Sequence, residues 1–431
     1  MQKLKIYLKK RPSLSLKIHF YQGGPMRFSI FTLVLVISLF STTGIYAQEI
    51  LQWRGADRSG IYHETGLLKS WDAAGPAVLW EATGIGNGYG SPIITSKGIF
   101  VNGEIDTVCY LFSLDIAGKI KWKTEIGREW VLNYPGARTT PTLDGNMVYT
   151  SAGMGAIACI DASTGQKKWA IDMVSDLHGQ IPRFGYSESI LTDGNLMYCM
   201  PGGADTNVVA LNKLTGKIEW ICKGNSAIPA YCSPWLTKLP SKTILVNFSK
   251  SSLLGIDAKT GELLWRHAQQ GDGDCQVNTP YFENGYIYYM AGNGNGAVKL
   301  QLSEDGNQIT EIWKNQACDN LTGAFIKVDN YLYTSGYEIR NWKTLDATTG
   351  QKLDSLKFDR GSILYADGML YLYNEKGQIG LCKPAGPKME LVSQFKLTRG
   401  TKAHYSHPVI CNKIFYVRRG TSLIAFDIKA K

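Results

Sequence analysis

What this chain lacks narrows its chemistry before any motif is read. It has nine cysteines, at 109, 159, 199, 222, 232, 275, 318, 382 and 411, yet no two are adjacent and no Cys-x-x-Cys occurs. Most sit in apolar runs such as Met197-Tyr-Cys199-Met and Ala158-Cys159-Ile, where a thiol behaves as a small core hydrophobe. Export would permit one disulfide, and Cys222 with Cys232 is the pair to test. No Ser/His/Asp order, phosphate-binding glycine loop or dinucleotide fingerprint stands out. Acidic residues are missing altogether from residues 1–47, which carry seven Lys/Arg. Removing that stretch leaves 39 Lys/Arg against 36 Asp/Glu, so the +10 of the whole chain falls to +3. No basic block survives beyond it, which excludes a nucleic-acid partner.

The one long apolar run, Phe28 to Phe40, lies in that leader behind Met26-Arg27 and ahead of Ser41-Thr-Thr-Gly-Ile-Tyr-Ala47-Gln48. Charged, apolar and small residues in that order read as a secretory signal, and 13 residues are too few to span a bilayer comfortably. Residues 1–47 are therefore expected to be an extension plus signal peptide cut after Ala47, with Met26 as an alternative start. No membrane span is expected after cleavage.

What is present is a repeat. Ala158-Cys-Ile-Asp161-Ala-Ser-Thr164-Gly165-Gln-Lys-Lys-Trp169 reads as strand, tight turn and a strand opening on tryptophan. Asn212, Thr215, Gly216 and Trp220 repeat it, as do Asp257, Thr260, Gly261 and Trp265. Asp115, Gly118 and Trp122 give a shorter copy, and Asp346, Thr349 and Gly350 a copy with Asp354 in place of the tryptophan. Ser/Thr/Pro clusters form a second periodic signal, ending at Pro92, Pro141, Ser189, Pro234, Pro280, Ala324, Ile363 and Pro408, 39 to 49 residues apart. Each precedes a turn such as Asp144-Gly145 or Asn284-Gly285 and a β-rich run. Such a period marks a propeller or solenoid. The count is eight. The last unit stops at Asp427 without its tryptophan strand, while Trp80 heads an orphan strand near the start. Pairing the two closes a ring and leaves no exposed edge at the joint. The expectation is an all-β, eight-bladed propeller over residues 48–431, monomeric, with Trp122, Trp169, Trp220 and Trp265 packing blade on blade. Blades five to seven degenerate, and Gln52-Trp-Arg-Gly-Ala-Asp-Arg-Ser-Gly60 is expected to lie over the body.

Asp-x-x-Thr-Gly-x-x-x-Trp around eight blades resembles the tryptophan-docking motif of the pyrroloquinoline-quinone-like propeller superfamily, which contains quinoprotein alcohol dehydrogenases and non-catalytic scaffolds. Gln52–Gly60, Tyr134-Pro-Gly-Ala-Arg138-Thr-Thr-Pro141 and Pro201-Gly-Gly-Ala-Asp205 are similar to an exported bacterial group of such propellers. The resemblance implies, for the enzymes, a quinone at the ring's axis, stacked on a tryptophan under an adjacent-cysteine disulfide, with calcium and an aspartate base. This chain offers neither that cysteine pair nor a haem attachment. It is similar in length to the scaffolds, among them an outer-membrane assembly lipoprotein, although Ala47-Gln48 supplies no cysteine for a lipid.

The innermost strand of each blade begins after its cluster, so the larger cluster residues should ring one mouth of the channel. They are Tyr89, Arg138, Tyr186, Glu188, Tyr231, Asn278, Arg360, His404 and His407. Arg138 and Arg360 have the chemistry to clamp a carboxylate or phosphate, and Glu188 with Asn278 could contribute oxygens to a hard cation. His404 and His407 lack further metal ligands in sequence. Gln270-Gly-Asp272-Gly-Asp274-Cys275 resembles the opening of a calcium loop without its closing glutamate and reads as a glycine-rich turn. No metal site follows. The favoured function is a non-catalytic binding or assembly scaffold in the envelope or periplasm of a Gram-negative bacterium. Its partner would be an envelope protein or a small polar or anionic ligand in the channel. The alternative is a quinone- or calcium-dependent alcohol or sugar dehydrogenase using the polar ring.

Overall fold

The repeat folds as its punctuation dictates. The computed structural model describes residues 48–269 and 275–431, so the leader and the Gln270–Asp274 part of the calcium-like turn lie outside the described residues. Eight sheets form a β-propeller. Blades one to seven span 93–128, 142–172, 191–222, 235–268, 281–315, 325–356 and 361–396, each with four antiparallel strands in chain order, and blade seven gains a fifth when Ile61–Tyr62 pairs in parallel with Gly361–Ala366. Blade eight takes Val409–Cys411, Ile414–Arg419 and Ser422–Asp427 from the C-terminus and Ala77–Ala82 from the start. Val78 pairs with Phe426 and Trp80 with Ala425, so head and tail fasten as expected. Among the described residues no helix is long and apolar enough to cross a membrane.

The first two strands of each blade meet at a tight turn. At Asn284-Gly285 both φ angles are positive, 50° and 81°, the conformation that matches strand twist in a two-residue hairpin. In blades two, three, four and six the third and fourth meet at the Asp/Asn-x-x-Thr-Gly turn; in blade two Asp161 Oδ1 accepts from the amides of Ser163 and Thr164, each at 3.0 Å. The Thr164 amide is the main reason that the Asp161 carboxyl is held below its usual range.

The core lies between the blades. Central strands bury both faces, so Val148 packs toward blade one and the adjacent Tyr149 toward blade three. The tryptophans stitch these layers. The Trp220 ring lies on Gly261 of the next blade's turn, where a Cβ would stand 2.6 Å from the ring, and its Nε1 donates to Ala258 O at 3.1 Å. Glycine is required there twice over, by φ of +79° and by the ring on its face. Cys222 and Cys232 are unlinked thiols. They pack in separate cores, one on each side of blade four, which overturns that pairing.

Candidate functional site

The Ser/Thr clusters prove to be a hoop before they are a site. The Ser91 amide donates to Thr140 Oγ1, the Thr140 amide to Ser189 Oγ, and the Ser189 amide to Ser233 Oγ, each at 3.0 Å. Ser91 Oγ reaches His407 O at 2.7 Å across the closure, and Ser362 Oγ reaches Ser406 O at 2.9 Å. Hydroxyls from the clusters of blades one to four and seven thus satisfy a neighbouring blade's backbone where the inner strands begin, and the spacing of the clusters follows from that task.

Inside the hoop sits the N-terminal segment. Arg54 and Arg58 are buried, both in left-handed backbone conformation. Arg54 donates to Ile363 O and Phe325 O, each at 3.1 Å, and contacts His407 Nδ1 at 3.2 Å. Arg58 donates to Ser189 O, Pro234 O and Ile190 O at 3.2, 3.0 and 2.6 Å. The segment therefore ties blades six and seven to blades three and four across the channel. Burial lowers Arg54 to about 10 and Arg58 to about 9, so both remain charged at neutral pH. The sequence placed this stretch over the body; its two arginines were missed as channel residues.

Above the plug opens a cavity of about 330 Å³. Trp53 contributes to its lining, edge-on to His407 at 4.7 Å and pinned by Nε1 donating to Thr279 Oγ1 at 3.2 Å. Of the nine expected residues, Tyr89, Arg138, Tyr231, Arg360, His404 and His407 line it. Tyr186, Glu188 and Asn278 do not. In extended chain alternate side chains point opposite ways. Ser187 and Ser189 face the cavity, so Tyr186 and Glu188 turn into the wall; Val277 faces it, so Asn278 turns away. The Tyr186 hydroxyl donates to Pro201 O at 2.9 Å. Asn278 latches blades five and six through Asn320 O at 3.0 Å and the Ala324 amide at 2.8 Å. Glu188 accepts from Asn247 Nδ2 at 3.2 Å, and burial raises its carboxyl to about 8.

The two arginines at the mouth are engaged. Arg138 donates to Trp130 O, Gly136 O, Asn133 O and Tyr134 O at 2.8–3.2 Å. Its guanidinium stands 3.7 Å from Glu129, whose carboxyl is raised to about 7 by burial. Arg360 donates to Glu375 at 2.8 Å and Tyr337 O at 3.0 Å and lies over the Tyr337 ring. His404 contacts Tyr373 OH at 2.7 Å and is lowered to about 4 by burial; burial also holds His407 well below its usual range. The two histidines thus have different partners.

What the sequence missed is aromatic. Tyr89, Tyr405, Tyr134, Phe184 and Tyr231 form a continuous series of rings along the mouth, with successive centroids 5.7, 5.8, 6.4 and 5.8 Å apart. Tyr134 and Tyr405 are 54% and 42% exposed. The signal was available, because each of the three missed rings lies within four residues of a cluster residue already singled out.

This donor set does not suit the anionic quinone and calcium of the superfamily's enzymes. Glu375 is held by Arg360 and, at 3.1 Å, by Arg340. The arginine donors go largely to backbone carbonyls, and Glu188 and Asn278 face elsewhere. Among the described residues, no group of three or more His, Cys, Asp or Glu is placed to hold a metal.

Among solved structures, BamB from Moraxella catarrhalis superposes with a TM-score of 0.59 at 11% identity, covering 82% of this chain and 100% of its own. A europium-containing methanol dehydrogenase gives 0.65 at 11% identity, covering 87% and 90%. The quinohemoprotein alcohol dehydrogenase ADHIIG from Pseudomonas putida HK5 gives 0.57 at 11%, covering 87% and 79%. At these identities the likeness shows the fold alone. No curated protein sequence matches significantly. The family model described as outer membrane protein assembly factor BamB matches residues 110–354, more than half of the 431, and the chain belongs to that family of PQQ-like propellers.

Proposed function

We propose that this propeller is a non-catalytic binding scaffold of the Gram-negative envelope, acting through the aromatic mouth of its channel. One observation carries the reading: the mouth is walled by aromatic rings, with Tyr134 and Tyr405 exposed, while the cations beside it already serve the protein's own carbonyls and carboxylates. Such a surface offers contact area and little reactive functionality. The family's description as an assembly factor for outer-membrane protein and the signal-like leader support the location.

The test is a titration of the exported protein with pyrroloquinoline quinone and calcium, alongside a dye-linked alcohol and sugar oxidation assay. The scaffold reading expects no saturable quinone uptake and no turnover. Stoichiometric uptake with turnover would replace it with the dehydrogenase reading, which the methanol dehydrogenase's likeness in fold keeps in view. A photo-crosslinking residue at Tyr134 should capture a defined envelope component, and the same residue at Lys168, on the outer strand of blade two, should not.

A further inference from the structure

The mouth is specific about what it leaves unused. Its backbone is largely paired: Arg138 takes four carbonyls of the 130–136 loop, Ala137 O accepts the Tyr89 amide at 2.7 Å, Tyr231 O accepts Ser187 Oγ at 3.0 Å, and Tyr337 O accepts Arg360. A peptide adding itself by main-chain hydrogen bonds finds little to pair with there. Charge is also balanced locally, with Arg138 beside Glu129 and Arg360 on Glu375. What remains turned toward solvent is ring face and phenol. The Tyr89, Tyr134 and Tyr405 hydroxyls have no hydrogen-bond partner among the described residues. The Tyr134 backbone is fixed at φ 47° in a loop tied by Arg138, so this part of the collar is positioned before any ligand arrives.

We infer that the collar of Tyr89, Tyr134 and Tyr405 above Trp53 binds a neutral saccharide, whose C–H faces lie on the rings and whose hydroxyls meet the phenols. Sugar rings combine an apolar face with a polar edge, the pattern the collar offers. The cavity of about 330 Å³ is of ligand-site size. This rests on the scaffold reading for the absence of turnover, and otherwise on geometry alone.

The full exported chain is titrated calorimetrically with maltotriose, cellotriose and N,N′-diacetylchitobiose, with a trigalacturonate as the charged control. At least one neutral sugar should bind saturably, more tightly than the control, and unchanged between about 0.05 and 0.5 M salt. Tyr405→Ala and Tyr134→Ala should each weaken it about tenfold, the order expected for a stacked ring, while Tyr405→Phe should cost less. Both tyrosines are exposed, so these variants should fold, and circular dichroism checks that they do. No saturable binding by any neutral sugar, or binding indifferent to both alanine variants, overturns the inference and leaves the scaffold standing. Binding followed by dye-linked oxidation of the sugar would uphold the site and overturn the scaffold.

Discussion

Six of the eight blade junctions are stitched by a docking tryptophan and two are not, and the contrast shows what the motif does. Trp80, Trp122, Trp169, Trp220 and Trp313 each lie against a glycine in the next blade's turn, and Trp265 donates to the carbonyl of Gly306. Between blades six and seven the position is Asp354, which accepts from the Met389 amide at 3.4 Å. There a fully buried Trp342 from a central strand fills the layer, its Nε1 donating to Asp359 O at 2.6 Å. Between seven and eight the tryptophan arrives from outside the repeat. Trp71, in the segment that runs from the plug to blade eight, packs on Tyr371 at 6.0 Å and Phe395 at 5.7 Å. Around it the Leu67 amide donates to Asp367 at 2.8 Å and the Leu68 amide to Ile428 O at 2.8 Å. The strap thus covers the junction where the repeat has lapsed. A blade needs a large apolar plate at its rim; the sequence position supplying it is free to change.

The sharpest way to break that comparison is to delete one plate from each side. Trp220→Ala should cost about 3–5 kcal/mol in chemical unfolding, the range for a buried aromatic, since Trp220 is 8% exposed. Trp169 is only half-buried and belongs below that range. Trp71→Ala should cost about 2–3 kcal/mol. A Trp71 variant as stable as the parent would show that the strap merely rests on the ring.

How much of this could be read beforehand follows from the same contrast. Hairpins were legible because Asp-Gly, Asn-Gly and Thr-Gly are local chemistry, and ring closure because two incomplete ends must be reconciled. Blade six kept its strands without its tryptophan, and blade seven without tryptophan or turn, because period-2 apolar patterning survived those losses. The plug was illegible as a plug. Arg54 and Arg58 are recognised by main-chain carbonyls, which every residue carries, so nothing in blades three, four, six or seven advertises the contact. Site residues were legible only to within one position. Cluster membership placed Tyr186, Glu188 and Asn278 near the channel, and strand parity, unused, would have turned them into the wall.

The docked side also holds a buried acid that sharpens the comparison by pH. Glu188 of the hoop has its carboxyl raised from 4.5 to about 8, first by burial and against the pull of Asn247 and Arg58. The folded state keeps a proton that the unfolded chain releases near 4.5. Its contribution is therefore complete below that value, declines as pH rises, and is gone above about 8. Calorimetric scans between pH 6 and 8 should show stability falling by at most about 1.4 kcal/mol per pH unit from this group. Glu188→Gln, which retains an oxygen for Asn247, should flatten the decline. An unchanged slope in that variant would move the effect to another buried acid, with Glu129 the next to replace.

The smallest effect separates a residue that holds the mouth from one that holds the ring. Arg138 spends its donors on carbonyls of a loop whose tip, Tyr134, is exposed. Water can replace those bonds once the loop lifts, so Arg138→Ala should lower global stability by about 1 kcal/mol. The local consequence should be larger. Amide exchange across residues 130–137 should accelerate while the strands of blade two stay protected, because the hoop contact from Thr140 to Ser189 does not involve the arginine. If blade two exchanged together with the loop, the mouth and the ring would be one cooperative unit. The collar could then not be altered without loosening the propeller.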